Sequence, residues 1–426
     1  MIKSGLLVTL ITVLGSLLGF LIQVLIAGKF GVSEEVDLYS FALSVPTFAA
    51  GLIGATLSFS LAPLVSERAN GVGELNRLIC SSIVLSFVFS AVIILTSPLL
   101  IDLHKSLLAD DAAMMTWSGA HLYLVLSWMS AAIQIGASCF AAILVGLKRP
   151  IAAANLNLLP YCGSVLFFTL FDGNDLRFLI VGLLIGNLTS VILALIILRS
   201  KLGDFASFVS IKEMKGLMKR NVLVALAISC FSIYVVIDSY WAPQAGVGAL
   251  ATLGYVQRIM IGVGNLAIAA PSAIVIPWFV DCIHKGIFTD FLRLLAKAIG
   301  FVVSVLAVII GLVYLNSSDL VTLMFGRGNF DNKAAQAVSL TLQSALPGMF
   351  CMLVSVIGMR ILLCLKNSTG IAGLIGISWG GTYYLFSSSY YLDGPQGIGV
   401  GYSTVWGLYM VVIYSAIFLL ARRQLS

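Results

Sequence analysis

Apolar residues run in blocks of about twenty or more along this chain, separated by short charged breaks or breaks containing glycine or proline. Twelve blocks stand out, at residues 5–27, 36–65, 78–101, 113–145, 151–171 and 178–198, then 222–241, 248–280, 291–315, 334–365, 370–391 and 398–421. A helix of about 20 apolar residues spans the hydrocarbon layer of a bilayer, so each block predicts one membrane-spanning helix. The blocks at 36–65, 113–145, 248–280 and 334–365 exceed that length, which predicts tilting or extension out of the lipid.

Composition removes the soluble alternative. Hydrophobic residues make up 60% and charged residues 10% of the 426, and the mean hydropathy is +1.07. Soluble domains carry about 25% charged residues, and no water-soluble fold could hide this much apolar surface. Seven cysteines lie in or at the ends of apolar blocks, with no CxxC pair. They read as small packing residues, not as a disulfide framework or a metal site. The first block follows a single lysine and precedes no small-residue cleavage site, so it reads as a retained span and not a signal peptide.

Charge placement sets an expected orientation. With both termini inside, 18 of the 24 Lys and Arg fall in cytoplasmic segments, five fall outside and Arg258 lies within a span. This excess predicts cytoplasmic termini and accounts for the net charge of +6 without nucleic acid. The longest inner connection, 199–220, holds the basic, amphipathic "KEMKGLMKR", which suits a linker helix on anionic headgroups. It divides the chain into an N-terminal six-helix lobe (1–200), a cytoplasmic basic linker helix (201–217) and a C-terminal six-helix lobe (218–426).

The two halves carry traces of duplication. "ILVGLKRP" (143–150) and "ILLCLKNS" (361–368) match at an offset of 218, and Pro63 and Pro277 are each followed by an acid, Glu67 and Asp281. An even number of spans per copy makes the copies parallel, related by an axis along the membrane normal, with a substrate path between lobes. The expected fold is therefore an all-α polytopic membrane protein, with about 12 transmembrane helices in two parallel-repeat six-helix lobes around a central cavity.

Few residues in the spans carry chemistry. Arg258 lies in "LGYVQRIMIGVGN", and an arginine in lipid costs at least about 2.5–3.5 kcal/mol unless it faces protein or water. It would either form an ion pair with Asp238 of the seventh span or bind an anion, where guanidinium suits phosphate. Glu34, Glu35 and Asp37 open the second span, where carboxylates complement a helix dipole, and Asp37 is also a candidate for transport. Gln23, Gln134, Asn155, Asn157, Asn187, Asn265 and Gln343 would line a polar path or act as interhelical hydrogen-bonding groups. His121 reads as a packed histidine near the outer surface or as a group titrating near neutrality. No Walker loop, HExxH, GxSxG or metal-spaced Cys/His cluster occurs, so neither an enzyme nor an ATP-driven pump is indicated, and no cofactor is expected.

"GRGNFD" (326–331) lacks the spacing and the Lys-Ser/Thr of a phosphate loop. Gly326 and Gly328 would permit a tight turn, and Asp331 or Asn332 would cap the helix that follows.

Three stretches resemble one family. "GFLIQVLIAGKFGVSEEVDLYSFALSVP" (19–46) is similar to the first two helices of MurJ/MviN-type lipid II flippases of the multidrug/oligosaccharidyl-lipid/polysaccharide exporter superfamily. "YVQRIM" (255–260) looks like that family's eighth-span segment with its cavity arginine, and "FGRGNFD" (325–331) like its F-x-R-G-x-F loop. The resemblance implies a two-lobed core of twelve helices that moves undecaprenyl-pyrophosphate-linked saccharides outward by alternating access. Its peptidoglycan members carry further arginines in the first two spans, where this chain has Ile22 and Ala50 or Gly51.

The sequence therefore leads to a bacterial inner-membrane flippase for a polyprenyl-(pyro)phosphate-linked saccharide of the exopolysaccharide or O-antigen type. Expected substrate-binding residues are Arg258, Asp37, Asp238, Gln23 and Asn265, with Gly326, Arg327, Gly328, Phe330 and Asp331 as the motif loop. Expected partners are the lipid-linked saccharide and membrane lipids, with a glycan polymerase or glycosyltransferases as candidates, around a monomer. Competing readings are a lipid II flippase, a cation-coupled multidrug exporter and a non-transporting scaffold of a glycan-assembly complex.

Overall fold

The computed structural model describes residues 2–68, 72–106, 119–171, 173–199, 209–264, 279, 288–366 and 368–425. These are helical almost throughout, with no strand among them. The helices are α1 (Ile2–Phe30), α2 (Glu34–Glu67), α3 (Val72–Leu95), α4 (Ser97–Lys105), α5 (Ala120–Gly146), α6 (Pro150–Leu170) and α7 (Arg177–Leu198). They continue as α8 (Ile211–Ile228), α9 (Tyr234–Ala245), α10 (Ala249–Gly264), α11 (Phe288–Leu315), α12 (Ser317–Phe325), α13 (Asn332–Cys364), α14 (Thr369–Tyr390) and α15 (Gly394–Leu425).

Among the described residues nine helical stretches are long and apolar enough to cross a membrane, or ten if the bent pair α8–α9 is one span. The last of these, Thr369–Gln424, contains both α14 and α15, parted by a 3₁₀ turn at Tyr391–Asp393. Helix α10 is apolar but, over its described residues, shorter than a span.

Three boundaries differ from the sequence expectation. The third block does not run straight to residue 101: α3 ends at Leu95, the chain bends at Thr96, and α4 follows with Pro98 in its first turn. Residues 317–325, between the predicted blocks at 291–315 and 334–365, form α12. Of the linker 201–217, residues 201–208 lie outside the described residues, and "KEMKGLMKR" falls in α8, which runs on to Ile228 and then bends by 41° into α9. Pro277, Asp281 and Cys282 lie outside the described residues.

The chain forms two compact units, one of residues 1–29 and 38–225, the other of 30–37 and 226–426. In the first, α6 and α7 approach until a Cβ on Gly163 would collide with the Gly182 carbonyl, and Ser164 Oγ donates to Leu179 O at 2.6 Å. Small residues are the usual means of close helix packing in lipid, where apolar surface gives no preference for protein over lipid. In the second unit, Pro347 interrupts α13. Ser403 of α15 repairs the gap: its hydroxyl donates to Ser344 O at 2.6 Å and accepts from Gly348 N–H at 2.8 Å. A side-chain hydroxyl thus stands between the two backbone groups of one helical step, as a proline-broken helix in lipid requires.

The bends after α3 and α11 are chemically alike, 220 residues apart. Thr96 Oγ1 donates to Val92 O at 2.7 Å, and Asn316 Nδ2 donates to Leu312 O at 2.8 Å. Each bend residue then accepts from the backbone four residues on, Leu100 N–H at 2.9 Å and Leu320 N–H at 2.8 Å. Each bend opens a nine-residue helix.

Candidate functional site

The second unit gathers the motif residues around α10. Phe30 and Gly31 end α1, and the turn into α2 places Gly31 at φ +60°, where a Cβ would strike the Asn329 carbonyl. Only glycine allows both that backbone angle and that approach. Tyr255 of α10 donates from its hydroxyl to Gly31 O at 2.7 Å. The Tyr255 ring contacts Phe325 and Phe330, with centroids 5.1 and 5.5 Å away. Phe30-Gly31, "YVQRIM" and "FGRGNFD", distant in sequence, meet at this point.

The motif loop itself is built as a turn. Gly328 takes φ +60°, Phe330 is buried, and Asp331 accepts from Ala334 N–H at 2.8 Å to cap α13. Gly326 N–H closes α12 on Thr322 O at 2.8 Å without a positive φ. Arg327 is exposed and its guanidinium donates to Met324 O at 3.0 Å.

Asp37 is fully buried. Its carboxylate serves another helix as well as standing in the first turn of its own, because Oδ2 accepts from Gly248 N–H at 2.5 Å and Oδ1 from Ala251 N–H at 2.7 Å. Two of the unpaired amides that begin α10 are thereby satisfied, by the group that best complements a helix N-terminus. The dipole explanation thus applies to α10, a partner that sequence reading did not foresee.

Asp238 lies on α9, 3% exposed. Tyr383 OH donates to its Oδ1 at 2.6 Å and Gln257 Nε2 to its Oδ2 at 2.8 Å. The expected ion pair with Arg258 does not form; the neighbouring Gln257 holds Asp238 instead. These groups border a small cavity within the second unit, with Tyr234, Met260 and Tyr402 on its walls. Gln257 and Tyr383 are the site residues that sequence reasoning missed. The glutamine was visible beside Arg258, but the tyrosine, 145 residues from Asp238, carried no local signal.

Arg258 is half-buried and makes neither a hydrogen bond nor a salt bridge among the described residues. Gln23 is half-buried on α1, also without a side-chain hydrogen bond among them, and Asn265 lies outside the described residues. Asn187 acts as interhelical glue, its Nδ2 donating to Ser130 Oγ at 3.3 Å. Of the positions considered for further arginines, Ile22 and Ala50 are buried in the first unit, while a Cβ on Gly51 would meet open space. His121 is exposed, not packed; among the described residues the buried histidine is His104, whose ring centroid lies 4.4 Å from that of Phe41. No group of three or more metal-ligating side chains occurs among the described residues.

Solved structures share the fold. A lipid II flippase MurJ in an inward closed conformation aligns with a TM-score of 0.76 at 18% identity, over 97% of this chain and 89% of that one. An inward-facing multidrug resistance MATE family transporter of the MOP superfamily aligns at 0.79 and 14%, over 96% and 94%. A MOP superfamily transporter from Pyrococcus furiosus, described as having a binding pocket of reversed polarity, aligns at 0.68 and 15%, over 99% and 95%. No curated protein matches the chain. These likenesses show the fold of the chain. The family described as lipid II flippase MurJ matches residues 26–417, and the chain belongs to that family.

Proposed function

We propose that this flippase moves a polyprenyl-(pyro)phosphate-linked saccharide of the exopolysaccharide or O-antigen type across the bacterial inner membrane, with Arg258 holding the phosphate. The observation that carries the reading is the arrangement around α10. Both acids that might have neutralised Arg258 hold its helix instead: Asp37 grips the first turn, and Asp238 grips Gln257. The guanidinium keeps its donors and its charge for a ligand. An unpaired cation in an apolar helix is costly and marks a functional position, and a planar fork of N–H donors matches phosphate oxygens. Asp37 and Asp238 then act as positioning residues, and Gln23 and Asn265 as saccharide-contacting candidates.

The small number of arginines favours a substrate other than lipid II, since Ile22 and Ala50 or Gly51 supply no second or third cation. The family match supports lipid II as the second reading. The direct test is Arg258→Ala, which should abolish glycan export at normal membrane abundance, while Arg258→Lys retains part of it. Unchanged export with Arg258→Ala removes this residue from the mechanism. Rescue of cells depleted of their lipid II flippase would transfer the assignment to peptidoglycan.

A further inference from the structure

The two nine-residue helices that follow the bends at Thr96 and Asn316 are not needed to span lipid. Each is the helix of its unit that follows the third spanning helix, and the two share a three-sided surface. Successive residues turn about 100° around a helix, so side chains three or four apart share a face. On α4, Ile101 and His104 are buried against the protein, Asp102 and Lys105 are exposed, and Leu99 and Leu103 form a third, exposed apolar side. On α12, Ser317, Val321 and Phe325 are buried, Ser318, Asp319 and Thr322 are exposed, and Leu323 is exposed on the apolar side. Viewed down either helix, the protein, polar and apolar sides follow in the same rotational order.

Pairs at the offset of 220 behave alike. Leu95 and Leu315 are each 80% exposed, Leu103 and Leu323 are 60% and 79% exposed, and Ile101 and Val321 are both buried. The exposed leucines also continue the outer apolar surface of the preceding span. That surface runs through Phe87, Val88 and Val92 on α3, and through Phe301, Val308 and Leu312 on α11. A helix with one side on protein, one side polar and one side continuing a lipid-facing surface has a single medium that suits all three.

We propose that α4 and α12 lie in the membrane boundary, with Leu95, Leu99 and Leu103, and Leu315 and Leu323, inserted among lipid chains and the polar sides facing headgroups and water. The breaks at Thr96 and Asn316 permit this course, because each ends the spanning helix while its side chain satisfies one of the last carbonyls. Interfacial helices of this kind bury their apolar side about 5–10 Å into the headgroup and acyl boundary. The occupant of the leucine side is lipid, not a second copy of the chain, since the surface is continuous with that of the spanning helices.

The test uses the whole protein in proteoliposomes made permeable to reagent. Single cysteines are placed on the apolar sides (Leu99→Cys, Leu103→Cys, Leu323→Cys) and the polar sides (Asp102→Cys, Thr322→Cys) of a chain whose seven native cysteines are replaced by alanine, with that cysteine-free chain as background. A polar maleimide should label the polar-side thiols at least about 10-fold faster than the apolar-side thiols. Nitroxides at the apolar positions should be relaxed more by oxygen than by an aqueous nickel chelate. Should a cysteine variant not fold, Leu99→Trp and Leu323→Trp read the same contact as additional fluorescence quenching by brominated lipid. Equal labelling of both sides, or no additional quenching, overturns the proposal. Disulfide-linked dimers through Leu103→Cys or Leu323→Cys would also overturn it, by assigning the surface to a second copy.

Discussion

Two buried carboxylates in the second unit are held in different ways. Asp37 is held by backbone amides, at Gly248 and Ala251, which are part of a helix and cannot leave without unwinding its first turn. Asp238 is held by a phenol and a carboxamide, side chains that can rotate, beside a cavity. The first arrangement fixes a helix in place. The second can exchange partners during a transport cycle at the cost of side-chain rotation alone. Both act on α10, so the two anchors of the helix bearing Arg258 differ in stiffness.

The comparison is broken most severely at the stiff anchor. Asp37→Ala leaves two buried amides unpaired and should destabilise the protein by about 2–3 kcal/mol. The loss is measurable as a lowered unfolding midpoint in detergent, with faster hydrogen exchange at residues 248–251. Gly31→Ala forces a side chain into a positive-φ turn against Asn329 and should cost about 1–2 kcal/mol, read from the same midpoint. At the soft anchor, Tyr383→Phe removes one of two donors from Asp238 and should cost about 1 kcal/mol of stability. Its export rate should change more than its melting, whereas a purely structural tyrosine would lower both together.

A partly exposed carboxylate supplies the weak limit. Asp175, in the turn between α6 and α7, is pushed upward by partial burial but held below its ordinary value of 3.8 overall by hydrogen bonds and charge from Arg177. A lowered folded value means that the unfolded chain binds more protons in this range. The contribution is therefore complete above about pH 4 and is lost as the pH falls through the folded value. Arg177→Ala should flatten the acid limb of the stability profile, by less than about 1 kcal/mol because the pair is partly solvated. An unchanged acid limb would show that the pair contributes nothing.

Particular residues show where sequence reading stopped. The bend at Thr96 was hidden because apolar residues continue through Ile101, and a hydropathy pattern cannot register a threonine that bonds its own helix. The helix α12 was hidden because nine residues with four polar side chains look like a loop until Val321 and Phe325 find a core to enter. Arg258 was legible because a cation in an apolar run is conspicuous by its cost. Its environment was not: the expected partner Asp238 bonds the adjacent Gln257, one residue and about a quarter-turn away.

The sequence by itself determined that the chain is built of long apolar helices suited to lipid, because this rests on local composition and spacing, while three stretches showed the family by resemblance. Only the tertiary structure decided that the motifs meet, that Asp37 serves a helix more than two hundred residues away, and that Asp238 bonds Gln257 and Tyr383 instead of Arg258. Those outcomes depend on which donor reaches each carboxylate first in three dimensions, and a one-dimensional pattern does not contain that geometry.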